Sequence, residues 1–199
     1  MLTDSLASIL APCCEVEGRV TDGHALLEEA ARLQPDVVVL DIVMPRLNGL
    51  DAARQLKAKM PRMKLIFMTM QQGPYLVGEA FRAGASAFLL KEAAASELID
   101  ALDQVLKGGR YVTPSAAEGL TNISLRDPKD REHVPQPSAR QREVIQLLAE
   151  GCSMKEVAAA LGITKRTVAG HKYAVMELLQ LKTNADLVQY AIKHGIIHI

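Results

Sequence analysis

Three apolar runs in the first half of the chain each end on a side chain that can do chemistry. Val37-Val38-Val39-Leu40 runs into Asp41, Ile66-Phe67-Met68 into Thr69, and Phe88-Leu89-Leu90 into Lys91. An aspartate after a strand can be a turn residue, a ligand or a nucleophile. Met44-Pro45 and Asn48-Gly49 just beyond Asp41 suit the turn, because short polar side chains bond their own backbone there. The other two ends weigh against a turn alone. In an open α/β sheet, ligands bind beyond the carboxyl ends of the strands. An acid, a hydroxyl and an ammonium would therefore converge at one edge, with Phe88 three residues before the lysine.

A second group lies near the other end. Ser153, with Glu156 three residues later, is a capping box that opens a short helix. Leu161-Gly162-Ile163 is a tight turn, and Thr164 caps a longer helix. On that helix Val168, Val175 and Leu179 fall on one arc at about 100° per residue, facing a bundle. Arg166, Ala169, Gly170 and Tyr173 point away from it, and Lys165 and Lys172 share a flank. Helix, short glycine turn and helix make a helix-turn-helix pattern. Cations, a phenol and small residues allow close approach to a major groove. His171, at the margin of the apolar arc, reads as structural or phosphate-contacting.

These residues need elements to hold them. Residues 1–111 alternate helical and strand patterns: helix in "LTDSLASIL", strand in "EVEGRV", helix in "GHALLEEAARL", strand in "DVVVL", helix in "LDAARQLKAKM", strand in "KLIFMTM", helix in "YLVGEAFRAG", strand in "AFLL" and helix in "ASELIDALDQVLKGG". Uniformly apolar strands separated by helices indicate parallel strands buried on both faces, a doubly wound α/β domain. Residues 112–137 read as a linker, with three prolines and a mixed charge cluster in "GLTNISLRDPKDREHVPQP". Residues 138–199 read as four short helices in a compact bundle.

Hydrophobic residues make up 49% of the 199, so two packed domains are feasible and wholesale disorder is not expected. No apolar run approaches ~20 residues, which argues against a membrane span. The first residues lack the basic start and apolar stretch of a signal peptide, so a cytoplasmic protein is expected. Cys13, Cys14 and Cys152 suit neither a disulfide framework nor a metal spacing. From Ser138 onward there are eight Lys/Arg against five Asp/Glu; before it, fifteen against eighteen. The mild split between an acidic front and a basic back hints at two jobs.

Asp41 with Met44-Pro45 and Gly49, then Thr69, then "AGASAFLLK", resembles a response-regulator receiver domain, over nearly all of residues 1–111. The resemblance implies a flavodoxin-like fold and a phosphoryl group transferred to Asp41 from a sensor histidine kinase. Lys91 would pair with the phosphoryl oxygens, the Thr69 hydroxyl would bond one of them, and Phe88 would be the switching aromatic. It also implies Mg²⁺ beside the acceptor, held by Asp41, the Val43 backbone and an acidic pair that ends the first strand. This chain has no match for that pair or that strand. The strand is expected upstream of Met1; otherwise the receiver is degenerate.

The segment from Ser138 to Ile199 resembles the LuxR-type helix-turn-helix domain, through "REVIQLLAEG", "KEVAAALGIT" and "LVQYAIKHGII". Joined to a receiver, it resembles the NarL/FixJ class of two-component regulators. That implies double-stranded DNA as a partner, contacted by Lys155, Thr164, Lys165, Arg166, Thr167, Ala169, Gly170, His171, Lys172 and Tyr173. It implies a homodimer aided by the last helix, near Asn184 to His194, and leaves room for an RNA polymerase contact. Ala169 and Gly170 depart from the family's larger residues, so base readout is expected to lean on Tyr173 and DNA shape, with Lys155, Lys165, Arg166 and Lys172 on phosphates. Two other readings stand beside it. One is a degenerate receiver serving as a dimerisation platform for phosphate-independent DNA binding. The other is an aspartate-nucleophile phosphatase, which would need an acid two positions after the nucleophile, where this chain has Val43. A non-enzyme is expected.

Overall fold

The computed structural model describes residues 2–71, 73–92, 95–117 and 136–197. In the first domain the elements are α1 (Leu2–Leu10), α2 (Gly23–Leu33), β1 (Val37–Leu40), α3 (Gly49–Lys59), β2 (Lys64–Thr69), α4 (Pro74–Arg82), β3 (Ala87–Leu90), α5 (Ala95–Leu106), β4 (Tyr111–Val112) and a helical turn α6 (Pro114–Ala117). The four strands form one parallel sheet in the order β1-β2-β3-β4.

The uniform apolarity of these strands has a direct structural use. Successive side chains of a strand point to opposite faces. Val38, Leu40, Leu65, Phe67, Phe88 and Leu90 pack with α2, α3 and α4 on one face. Ile66, Met68, Ala87 and Leu89 pack with α1 and α5 on the other. The short β4 and Ala116 extend this packing past residue 111.

"EVEGRV" was expected to be a strand, and residues 15–20 form no regular element. A strand exists only as one side of a ladder. Residues 15–20 line a groove of about 500 Å³, with β1 on another of its walls. No strand among the described residues pairs with the outer edge of β1, so "EVEGRV" has nothing to pair with.

The second domain is α7 (Ala139–Ala149), α8 (Met154–Leu161), α9 (Lys165–Leu178) and α10 (Asn184–Lys193). Capping boxes open α7 at Ser138/Gln141, α8 at Ser153/Glu156 and α10 at Thr183/Asp186, and the Thr164 side chain caps α9. Gly162 ends α8 in the left-handed conformation, φ +63, where a residue without Cβ meets no penalty. Val144, Leu147, Val157 and Val168 form one core cluster; Ile145, Val175, Leu187, Ala191, Ile196 and Ile197 form another.

Candidate functional site

The strand ends do meet. Asp41 follows β1 and Lys91 follows β3, and the lysine Nζ lies 2.5 Å from Asp41 Oδ2. The two side chains keep 23% and 17% of their exposure, so the pair is recessed yet reachable from solvent. The Val43 N–H donates to Asp41 Oδ1 at 3.2 Å. Thr69 ends β2 and is buried; its carbonyl accepts from the Lys91 N–H at 2.8 Å, and its Oγ1 accepts from the Gln71 N–H at 3.2 Å. Phe88 is fully buried on β3, in register with Phe67.

The backbone beyond Asp41 turns back on itself. The Gly49 N–H donates to the Ile42 carbonyl at 2.7 Å. A Cβ on Gly49 would lie 1.8 Å from the Asp41 carbonyl oxygen. Glycine is needed here because two backbone segments touch. Arg46, at the loop tip, has φ +66 and pairs with the buried Asp22, which also caps α2. Burial raises the Asp22 pKa, but the Ala25 N–H, the Arg46 guanidinium and the His24 N–H outweigh it and hold the carboxyl below its ordinary value.

Receiver domains generally bind Mg²⁺. The donors at this edge do not fit it. A hard dication takes about six or more oxygens. Among the described residues, no group of three His, Cys, Asp or Glu able to hold a metal gathers at Asp41 or elsewhere. The Asp41 oxygens already face an ammonium and an N–H.

The loop from Asp41 to Asn48 also carries the second domain. Gln146 of α7 is fully buried against it. Its Oε1 accepts from the Asn48 N–H at 2.7 Å, and its Nε2 donates to the Met44 carbonyl at 2.7 Å. Glu150, one turn on, accepts from the Arg46 N–H at 3.3 Å and from Gln146 Nε2 at 2.8 Å. One turn back, the Arg142 guanidinium grips the Asp51 carboxylate, Nε lying 2.8 and 2.9 Å from its two oxygens. Arg54 holds the same carboxylate at 2.9 Å and bridges to Glu79 at 2.8 Å. Arg142, Gln146 and Glu150 are spaced by four, so one face of α7 supplies all three.

The end of α10 makes a second contact. His194 stacks on Tyr190 at 4.2 Å and meets Tyr75 of α4 edge-on at 5.6 Å. Burial pushes the Tyr190 phenol up to about 12. Burial lowers the His194 pKa, aided by Lys193 and opposed by Glu79.

The helix expected to meet DNA, α9, takes no part in the contacts just described between the domains. Lys155, Thr164, Lys165, Arg166, Thr167, Gly170 and Tyr173 are exposed, Tyr173 by 60%; Ala169 and His171 are half-buried. Lys165 and Lys172, seven apart on α9, share a flank but differ in exposure: Lys165 is exposed, whereas Lys172 is only 8% exposed, its ammonium 5.4 Å from the centre of the Tyr173 ring. The reach of the long stem over the neighbouring ring explains the difference.

Sequence reasoning found Asp41, Thr69, Phe88 and Lys91 but not Asp51, Arg142, Gln146 or Glu150. The last three share an i, i+4, i+8 polar stripe on α7, which reads equally well as a solvated face, and Asp51 is one acid in the first turn of α3.

Residues 2–103 match the family model of the response regulator receiver domain, and residues 137–191 match that of bacterial regulatory proteins, luxR family. The oxygen regulatory protein NreC of Staphylococcus carnosus is 31% identical over 189 residues, covering 92% of this chain and 87% of that protein. The transcriptional regulatory protein MctR of Rhizobium johnstonii is 29% identical over 199 residues, covering 99% and 91%. Among solved structures, the RcsB response regulator of Salmonella typhimurium superposes with a TM-score of 0.65 at 24% identity, covering 97% of this chain and 92% of that one. No helix among the described residues is long and apolar enough to cross a membrane. An acid–lysine pair at the strand ends, a helix-turn-helix bundle and these two matched domains give one conclusion: the chain belongs to the response regulators of the NarL/FixJ class, with a receiver domain joined to a LuxR-type DNA-binding domain.

Proposed function

We propose that the chain is a DNA-binding transcription regulator whose receiver holds the DNA-binding domain through the loop after Asp41, and that phosphorylation of Asp41 by a sensor histidine kinase loosens that hold. One observation carries the reading: Gln146 of α7 bonds Met44 and Asn48 within the loop that Asp41 begins. In transfer from a phosphohistidine, an Asp41 oxygen attacks phosphorus, the P–N bond breaks and an acyl phosphate forms. Lys91 then has phosphoryl oxygens to pair with, in place of the bare carboxylate. The added charge and acceptors act on donors nearby, and the Val43 N–H is one of them. The loop can then shift under Gln146. Release of α7 also frees the end of α10, which this arrangement covers with Tyr75. The free α10 serves a homodimer on double-stranded DNA, the arrangement that leaves room for an RNA polymerase contact.

The test is acetyl phosphate with wild type and Asp41→Asn. The expected result is label on wild type alone, with tighter DNA binding. Equal label on both variants contradicts the assignment of Asp41. A second reading has its own support, since no group of three His, Cys, Asp or Glu able to hold a metal gathers among the described residues: the receiver is a docking platform that works without phosphate. Label on neither protein, with DNA binding still tightened by Arg142→Ala, favours that reading.

On α9 two exposed residues should fail in opposite ways. Tyr173→Ala is expected to lose ~1 to 3 kcal/mol of specific binding, one base contact, while non-specific binding is kept. A Cβ on Gly170 would meet no atom within 4 Å, so Gly170→Leu favours the helix by up to about 1 kcal/mol yet bars close approach to DNA. Salt-dependent binding to a selected operator and to random DNA checks both. Tyr173→Ala weakening both DNAs equally would show the outward face to be misassigned.

A further inference from the structure

We infer that the contact between the end of α10 and α4 is an acid-sensitive latch: a proton taken up by His194 weakens the receiver's hold on the DNA-binding domain, an input separate from Asp41. The inference rests on the docked arrangement proposed above and not on phosphorylation.

The latch is built at one turn. His194 closes α10, and Gly195 follows with φ +66. Gly195 is buried, and a Cβ there would lie 2.6 Å from Gln71 Oε1 and 3.1 Å from Leu76 Cδ2, both of the receiver. Glycine alone suits both the left-handed backbone and so close an approach. The chain just after His194 is thus pinned to the receiver. Its imidazole is held half-buried against Tyr190 of the same helix and Tyr75 of α4.

An imidazole ordinarily titrates near ~6.5, so small changes of surroundings decide its charge close to neutral pH. The docked surroundings disfavour a charge. His194 has no hydrogen bond or ion pair from its ring among the described residues. The carboxylates on this side are already engaged. Glu79 of α4 is bridged by Arg54 at 2.8 Å and Arg82 at 2.9 Å, and Asp51 of α3 by Arg54 at 2.9 Å and Arg142 of α7 at 2.6 Å. Lys193 stands next to His194 on α10 and acts against its protonation. Arg54, Arg82, Arg142 and Lys193 therefore outnumber Glu79 and Asp51, and an imidazolium adds one more cation. The phenols of Tyr75 and Tyr190 are pushed up by burial and stay neutral. Tyr190 lies four residues back on α10, so its ring accompanies His194 whether docked or free and cancels from the difference.

Burial first, then Lys193, holds the docked imidazole below its ordinary value, with Glu79 opposing. On a released α10 the imidazole returns towards that value, so the free state binds the proton better. Docking is therefore whole above about pH 6.5 and weakens as pH falls below it, until the docked imidazole is itself protonated. At about pH 5.5 the loss reaches at most about ten-fold, the factor set by one pH unit. Release frees the end of α10, the same outcome proposed for phosphorylation.

The test is amide exchange of the full chain, without phosphodonor, at about pH 7.5 and about pH 5.5, either side of the ordinary imidazole value. Protection of the Asn48 amide, which bonds Gln146 across the domains, is read relative to β2 amides after correction for the intrinsic pH dependence of exchange. In wild type it is expected to fall roughly three- to ten-fold on acidification. His194→Phe keeps a ring and cannot take a proton; its Asn48 protection should be the same at both pH values. If that variant loses β2 protection, and so fails to fold, His194→Gln replaces it with the same expectation. A fall that persists in the variant means that another group titrates and overturns the proposal. So does a wild type whose Asn48 is protected equally at both pH values, or better in acid, and there the docked arrangement still stands. Asn48 unprotected in wild type at both pH values overturns the docked arrangement and this latch with it.

Discussion

Arg142→Ala is expected to free the DNA-binding domain from the receiver. The Asp51 side chain is only 2% exposed and Arg142 18%, with their closest atoms 2.6 Å apart. Removing one partner of a buried ion pair costs roughly 3 to 5 kcal/mol, because the other charge is left buried. Arg54 still holds Asp51, which puts the expected loss near the lower figure, about 3 kcal/mol. That weakens docking by more than about 100-fold at ~1.4 kcal/mol per factor of ten. Small-angle scattering should show a larger radius of gyration, and trypsin should cut between the domains faster. Arg54→Ala is the control. It removes a pair within the receiver, so it should lower receiver stability and leave docking largely in place. Asp51→Ala added to Arg142→Ala should recover part of the receiver's stability, since no charge is then stranded. An unchanged radius of gyration for Arg142→Ala would show that this pair does not hold the domains together.

Gly49→Ala should be the most damaging single methyl in the receiver. The new Cβ would sit 1.8 Å from the Asp41 carbonyl oxygen and 3.1 Å from Ile42 Cα, both backbone. Backbone cannot swing aside as the tip of a side chain can. Overpacking costs ~1 to 3 kcal/mol in most cores, and a backbone clash belongs at about 3 or above. The same change at Gly170 should have the opposite sign, a gain of up to ~1 kcal/mol from helix propensity, because its Cβ enters open space. Urea melts of the two variants check the pair. A Gly49→Ala variant as stable as wild type would mean that the loop after Asp41 adopts another path.

These two predictions rest on features of unequal visibility in the sequence. The strand ends were legible because apolar runs that stop at Asp41, Thr69 and Lys91 combine burial with a charge or hydroxyl, and parallel topology puts such ends on one edge. The helix-turn-helix was legible because its signals are local: Ser153 with Glu156, Gly162, and Thr164 before a helix. Gly49 was visible as half of an Asn-Gly turn and as one residue of the receiver pattern. Its actual role, at the start of α3 beneath the Asp41 carbonyl, depends on where a second stretch of backbone passes. Gln146 and Arg142 were less visible still. A glutamine and an arginine on a helix face are ordinary solvent groups until a partner domain covers them. "EVEGRV" failed as a strand for the same kind of reason: its alternation is local, whereas pairing needs a neighbour.

The central claim is that the loop after Asp41 carries the DNA-binding domain, and the Asn48 amide reports on it directly. Its N–H precedes α3 and donates to Gln146 Oε1 at 2.7 Å, across the two domains. Amide hydrogen exchange of the full chain should show Asn48 protected in wild type. In Gln146→Ala and in Arg142→Ala it should exchange at least ten-fold faster, while β2 amides in the sheet keep their protection. Equal Asn48 protection in all three proteins would contradict the account.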